Sequence, residues 1–170
     1  MIKILDINLA KLLMRVLKIA RSLDHGIIDL KEVLSMLSLF VVDDDIVEYF
    51  LNTGLANELL FFIKDDRLDN QTSVINLTTV LIHLLRLKSY GFSKSLKLDF
   101  LVFLLRNYER AEEEDYKFDL LDLLRQMYSI KEFKKMLHDE EVVIELKYRS
   151  DITELEELIR HELGQEQRTT

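Results

Sequence analysis

A leucine-rich helical segment occurs three times in this sequence. LIHLLR at Leu81–Arg86 recurs as LLDLLR at Leu120–Arg125 and as LEELIR at Leu155–Arg160. A second segment, LLFFI at Leu59–Ile63, recurs as LVFLL at Leu101–Leu105. A period of about 40 residues is typical of helical solenoids, in which each repeat buries its apolar face only by packing on its neighbours.

Few residues in the chain interrupt a helix. The 170 residues include four glycines and no proline, so we expect helices joined by short turns. Apolar residues make up 48% of the chain, which is enough for a sizeable core. No segment shows the clean apolar–polar alternation of a strand. The sequence therefore predicts an all-α fold, with a single domain over residues 1–164 and a flexible tail over residues 165–170.

Helix boundaries follow from capping residues. Asp29 and the acidic turn Asp43–Asp45 suit helix N-termini, and Ser129 is expected to cap the helix that follows it. Gly26 and Gly54 suit helix ends. The predicted helices are Ile7–Ser22, Asp29–Val42, Ile46–Asn52, Leu55–Lys64, a long helix within Asp69–Tyr90, Leu96–Tyr108, Tyr116–Tyr128, Ile130–Leu137, Glu141–Lys147 and Ile152–Leu163, with Glu109–Asp115 as a solvated turn.

The order of a short, a medium and a long helix within one period resembles the armadillo repeat. Ile46–Lys88 is the most complete copy, and Gly54 stands where that family places a glycine between its first and second helices. The resemblance implies a right-handed α-α superhelix, an armadillo-like solenoid of three to four short repeats whose third helices line a concave groove. A HEAT-like solenoid and an irregular or Bcl-2-like bundle are the alternatives.

The resemblance also implies where a partner would bind. The groove-facing asparagine of armadillo proteins falls at His83, Asp122 and Glu157, none of which is asparagine, so the backbone-clamping mode of nuclear-import receptors is not expected. An arginine follows each of these three residues by three positions, which places each pair on one helix face. We therefore predict a ladder of residues that binds an extended segment of a protein, with solvated ion pairs as the alternative. The predicted protein-binding residues are Asn76, Thr79, His83, Arg86, Phe118, Asp122, Arg125, Glu157 and Arg160.

Motifs for catalysis, metals or cofactors are not found in the sequence. It contains no cysteine, and its four histidines lack the spacing of zinc ligands. Phosphate-binding glycine loops, nucleophile elbows and calcium-binding EF-hand loops are missing as well. We therefore expect no catalytic residue, no metal site and no cofactor, and an enzyme is the weakest of the functional hypotheses.

Charge and hydropathy narrow the class of partner. The net charge of −8 argues against nucleic-acid binding, and no apolar run approaches the roughly 18 residues of a membrane span. Without a targeting segment, the chain is expected to be intracellular and cytoplasmic. The main hypothesis is a non-catalytic scaffold that binds a protein or peptide in a concave groove. The alternative is a structural subunit of a homo- or hetero-oligomer that packs through its apolar end helices.

Apolar residues cover much of the first helix, which suggests a homodimer or a larger assembly formed through this N-terminal helix. This interpretation is based on the apolar residues Leu12, Leu13, Met14, Val16 and Leu17.

Three LxxLL motifs lie on the apolar arcs of their helices, and we expect them in the core rather than in an exposed docking motif. Leu81, Leu84, Leu123 and Leu158 are predicted to be buried.

Overall fold

The computed structural model describes residues 2–23, 29–41, 43–64, 68, 70–88 and 92–163, with side chains described for these residues except 2–6 and 88. Every regular element in these ranges is a helix, which confirms the all-α prediction. The elements are α1 (Ile2–Ser22), α2 (Leu30–Phe40), α3 (Asp44–Thr53), α4 (Leu55–Lys64), α5 (Gln71–Lys88), α6 (Lys94–Arg110), α7 (Glu114–Tyr128), α8 (Lys131–Leu137), α9 (Glu140–Ser150) and α10 (Leu155–Glu157), which continues as a π-helical segment (Leu158–Leu163).

Several predicted helix boundaries are confirmed by their capping contacts. The Asp29 carboxylate accepts a hydrogen bond from the Lys31 amide at 3.0 Å, and Asp43 caps α3 in the same way. Gly54 has a φ of +82° and separates α3 from α4, as glycine readily does in the left-handed region. The predicted cap at Gly26 and the predicted tail at 165–170 lie outside the described residues.

Other predicted boundaries are wrong. The acidic turn is shorter than predicted, because Glu114 and Asp115 belong to the first turn of α7, where the helix dipole stabilises carboxylates. Ser129 ends α7 instead of capping α8; its hydroxyl donates to the Gln126 carbonyl oxygen at 2.6 Å. The last helix begins only at Leu155 and widens into the π-helical segment three residues later.

Cα packing divides the chain into two compact units, Met1–Lys88 and Ser89–Thr170. In the first unit, α1 packs on α4 and α2 packs on α5, while α3 contacts α1, α4 and α5. Leu17, Leu34, Phe50 and Phe62 are fully buried in its core. Most sides of α5 are buried, which makes it the central helix of this unit.

The second unit repeats this arrangement of helix pairs. In it, α6 packs on α9 and α7 packs on the π-helical segment, while α8 contacts α7 and α9. Phe100, Phe133 and Leu146 are fully buried in its core. Each unit is thus built from two helical hairpins, which are α1–α2 and α4–α5 in the first unit. In each unit the first helices of the two hairpins pack on each other, and so do the second helices.

The predicted core leucines are buried in both units. This holds for Leu81, Leu84, Leu123 and Leu158, none of which exposes more than 6% of its surface. The leucines of the three LxxLL motifs are also buried, which confirms their core role. The leucines in question are Leu81, Leu84, Leu85, Leu101, Leu104, Leu105, Leu120, Leu123 and Leu124.

Candidate functional site: a groove in the second unit

Four of the predicted binding residues lie on α5 in the first unit. Asn76, Thr79 and His83 are half-buried, and Arg86 is exposed. The Thr79 hydroxyl donates to the Ile75 carbonyl oxygen at 2.8 Å. Burial, and then the charge of Arg86, lowers the pKa of His83. The polar stripe of α5 therefore lies at the margin of a buried helix rather than on an open face.

Three predicted residues lie on α7 in the second unit. Phe118 is exposed, and Asp122 accepts a hydrogen bond from the Gln126 amide nitrogen at 2.8 Å. Arg125 contacts Glu162 twice, through Nε to the backbone oxygen at 3.2 Å and through a terminal nitrogen to the carboxylate at 3.3 Å. The guanidinium of Arg125 thus links α7 to the π-helical segment, a contact that sequence reasoning missed.

The last two predicted residues, Glu157 and Arg160, are exposed on α10 and on the π-helical segment. Glu157 precedes Arg160 by three positions, but the pair lies where the α-helix ends and the π-helix begins. The ladder combines residues of both units, and it stays a prediction. Of its nine members, only Arg160 also lines the groove described next.

A groove of about 670 Å³ opens on the second unit. Its wall is formed by the end of α7, by α8 and α9, and by α10 with the π-helical segment. The lining residues are Tyr128, Leu137, His138, Glu140, Val143, Ile144, Glu156, Ile159 and Arg160. Its volume lies within the ~300–1,000 Å³ range of ligand pockets in proteins.

The groove has an apolar floor. The floor is formed by three side chains of the buried core, Leu137, Val143 and Ile159, each of which also lines the groove. Ile144 is different, because 67% of its surface is exposed although it lies one residue after Val143. Covering such a side chain with an apolar group would be favourable by about 25 cal/mol for each Å² removed from water.

One polar rim of the groove is formed by an aromatic pair. The Tyr128 hydroxyl lies 2.8 Å from His138 Nε2, and the two ring centroids are 5.9 Å apart. Lys134 Nζ lies 5.3 Å from the centroid of the Tyr128 ring, on its face. These contacts hold the Tyr128 ring in place, so that it presents a fixed, amphipathic surface to the groove.

The other polar rim carries charge. Lys147 Nζ donates to both carboxylate oxygens of Glu156, at 3.1 and 3.0 Å. This hydrogen bond is the main reason that the pKa of Glu156 is lowered, and the charge of Arg160 contributes in the same direction. Arg160 itself makes no hydrogen bond or ion pair within the part of the chain that the structure describes. Its guanidinium is therefore available to a carboxylate or a carbonyl oxygen of a ligand.

Hydrogen bonds to α6 hold α9 in its position beside the groove. Arg149 on α9 donates to the Asp99 carboxylate on α6 at 2.7 Å. Arg106 Nε, also on α6, donates to the backbone oxygen of Arg149 at 2.8 Å. The hydrogen bond to Asp99 is the largest cause of a raised pKa of Arg149. This cluster holds α9 against α6, so that Ile144 on the other side of α9 faces outward.

Within the described residues, no group of three or more His, Cys, Asp or Glu side chains is arranged to hold a metal ion. In those ranges no single helix has the length and apolar character of a membrane span, although α3 and α4, bent by 67° at their junction, meet the length and composition criteria as a pair. The chain matches no protein-family model, no curated protein and no solved structure.

Sequence reasoning missed most of the groove because its residues come from separate helices. One signal was available on α9, where Ile144 and Tyr148 are four residues apart. Both are exposed, while Val142, Val143 and Leu146 are buried. These two side chains therefore lie outside the core face of α9.

Proposed function

We propose that this protein is a non-catalytic interaction module that binds a short segment of another protein in the groove of the second unit. The observation that carries the proposal is the combination of an apolar floor, the exposed Ile144 and the available guanidinium of Arg160. A compact apolar surface with a few oriented polar groups at its rim is the usual composition of a ligand site.

The chemistry of the groove defines its expected occupant. A large apolar side chain would cover Ile144 and the floor, and a nearby carboxylate would pair with Arg160 in bidentate geometry. The ring of Tyr128 would contribute a rigid contact at little cost in side-chain entropy. We therefore expect a peptide with a leucine, phenylalanine or similar residue close to an aspartate, a glutamate or a C-terminal carboxylate.

We propose that the helices form degenerate armadillo-like repeats of a right-handed superhelix. The pairing of like helices within each unit supports this, because neighbouring repeats of a solenoid stack in that way. Small-angle scattering tests it: a superhelix should give a radius of gyration above the ~15–16 Å of a compact 170-residue protein. A value within that range would favour the bundle.

Peptide selection followed by binding measurements tests the function. A random peptide library displayed on phage is selected against the full chain, and the enriched peptides are measured by fluorescence anisotropy. We expect peptides with the apolar and acidic pattern above. Ile144→Asp and Arg160→Glu should each weaken their binding at least tenfold, because one removes an apolar contact and the other reverses the charge that meets the carboxylate.

The control is Leu39→Asp, which changes an exposed apolar residue of α2 in the first unit. It should leave the affinity unchanged. Peptides that bind the Ile144→Asp and Arg160→Glu variants as tightly as the unmodified protein would place binding outside the groove. Loss of affinity in Arg86→Glu alone would instead favour the predicted ladder.

A further inference from the structure

An apolar stripe is exposed along α1 in the first unit. Leu12 and Ile19 expose 53% and 49% of their surface, Leu9 is also exposed, and Val16 is partly exposed. Spacings of three and four residues place these four side chains in one row along the helix. The row is separate from the core face of α1, which buries residues such as Leu13 and Leu17. The apolar residues of this helix therefore form two separate faces, one buried in the core and one exposed.

A row of cations runs beside this stripe. Lys11, Arg15 and Lys18 are exposed and succeed one another at intervals of four and three residues. They make no hydrogen bond or ion pair within the described ranges. Arg21 is different, because it lies 3.5 Å from Glu58 and its guanidinium is 4.5 Å from the centre of the Phe61 ring.

The charge of α1 differs in sign from that of the whole chain. Between Ile7 and Ser22 the helix carries four cations and no acidic residue, whereas the complete sequence has a net charge of −8. A cationic row concentrated beside an apolar stripe creates a local field that attracts anionic partners. It also disfavours partners with exposed cations at the corresponding positions.

We propose that the stripe and the cationic row of α1 form a docking surface for an acidic amphipathic helix of another protein. From Leu9 to Ile19 the stripe is about 15 Å long, which matches about three turns of a partner helix. Apolar residues of that helix at intervals of three and four positions would cover the stripe. Its carboxylates, on one flank, would face Lys11, Arg15 and Lys18.

Two other occupants fit the surface less well. In a helix that lies on a lipid surface, a polar face stands opposite the apolar one. On α1, the face opposite the stripe is buried in the core of the first unit, at Ala10 and Met14. A second copy of the chain would place an identical cationic helix against this surface. Residues 7–22 of that copy include no acidic side chain that could pair with Lys11, Arg15 and Lys18.

Two synthetic peptides test the proposal directly. The acidic probe is a fluorescein-labelled, 21-residue helical peptide with leucine at the two apolar heptad positions and glutamate at the flanking ones. The matched basic probe has lysine in place of every glutamate. Measured by anisotropy against the full chain, the acidic probe should bind at least tenfold more tightly than the basic probe, and added salt should weaken it.

Variants of exposed residues locate the binding surface. Lys11→Glu with Arg15→Glu should weaken the acidic probe at least tenfold, and Leu12→Ser with Ile19→Ser should do the same. Lys131→Glu with Lys135→Glu changes the net charge equally, on exposed residues of α8, and should have no effect. The groove variants Ile144→Asp and Arg160→Glu should leave the affinity for the acidic probe unchanged. The two binding proposals are therefore tested independently.

Three outcomes would overturn the inference. One is equal affinity for the two probes, or affinity for neither. Another is a concentration-dependent dimer in sedimentation that Leu12→Ser with Ile19→Ser abolishes, which would identify a second copy as the occupant. The third is binding to phosphatidylserine vesicles that depends on Lys11 and Arg15 while the acidic probe does not bind.

Discussion

Leu84 and Leu87 lie three residues apart on α5 but in different surroundings. Leu84 is fully buried, whereas Leu87 exposes 43% of its surface. Leu84→Ala should lower the free energy of unfolding by ~2–5 kcal/mol, because it removes buried methyl groups and leaves a cavity. Leu87→Ala should lower it by no more than ~0.5 kcal/mol. Urea unfolding followed by circular dichroism measures both, and equal losses would mean that the assigned core face of α5 is wrong.

His83, on the same helix, should make stability depend on pH. Burial and the Arg86 charge lower its pKa in the folded state from the ordinary value of 6.5. The unfolded chain then binds the proton first as pH falls, so the free energy of unfolding should decrease from above pH 6.5 down through the folded-state pKa.

The variant His83→Gln isolates this contribution from the other titrating groups. The difference in unfolding free energy between the unmodified protein and the variant should be constant above about pH 7.5 and should change in favour of the variant at lower pH. A difference that is independent of pH from 5 to 8 would contradict the assignment.

At the scale of single residues, the sequence predicted the burial of the leucines because their periodicity within one helix indicates it.

At the scale of helices, α9 owes its position to contacts that are distant in sequence. Arg149 bonds to Asp99, which lies 50 residues earlier on α6. Arg149→Met would remove this charge-assisted hydrogen bond, at a cost of about 1.5–3 kcal/mol. Hydrogen exchange of the α9 amides should accelerate as a result.

Arg110→Met on α6 is the matched control, because Arg110 is exposed. It should leave the α9 amides unchanged. In a double-mutant cycle with Asp99→Asn, the loss in the double variant should be smaller than the sum of the two single losses, since the two side chains share one interaction. Additive losses would mean that the two residues act independently.

Sequence reasoning located helices well where local signals mark their ends. Asp29, Asp43 and Gly54 are such signals, and all three act as expected. It failed at the last helix, where the α-helix changes to a π-helix at Leu158 and where Arg125 of α7 donates to the backbone oxygen of Glu162. Nothing in the spacing of either residue indicates that pairing.

At the scale of the whole chain, the all-α class and the core role of the repeated leucines followed from composition and periodicity. The groove did not, since its walls come from α7, α8, α9, α10 and the π-helical segment. The ladder residues share a regular spacing on single helices, and such spacing cannot show that Arg125 contacts Glu162. Repetition thus identified the helices, while the candidate site depends on how they meet.

Binding of a peptide in the groove of the second unit can be compared directly with binding at the other surfaces of the protein by nuclear magnetic resonance. Backbone amide chemical shifts of the ¹⁵N-labelled full chain are recorded while the peptide with the highest affinity from the library selection is added. We expect shift changes concentrated at Tyr128, His138, Ile144 and Ile159, and in the backbone of Arg160. Changes confined to α5 or α1, with those five amides unmoved, would mean that the peptide binds outside the groove.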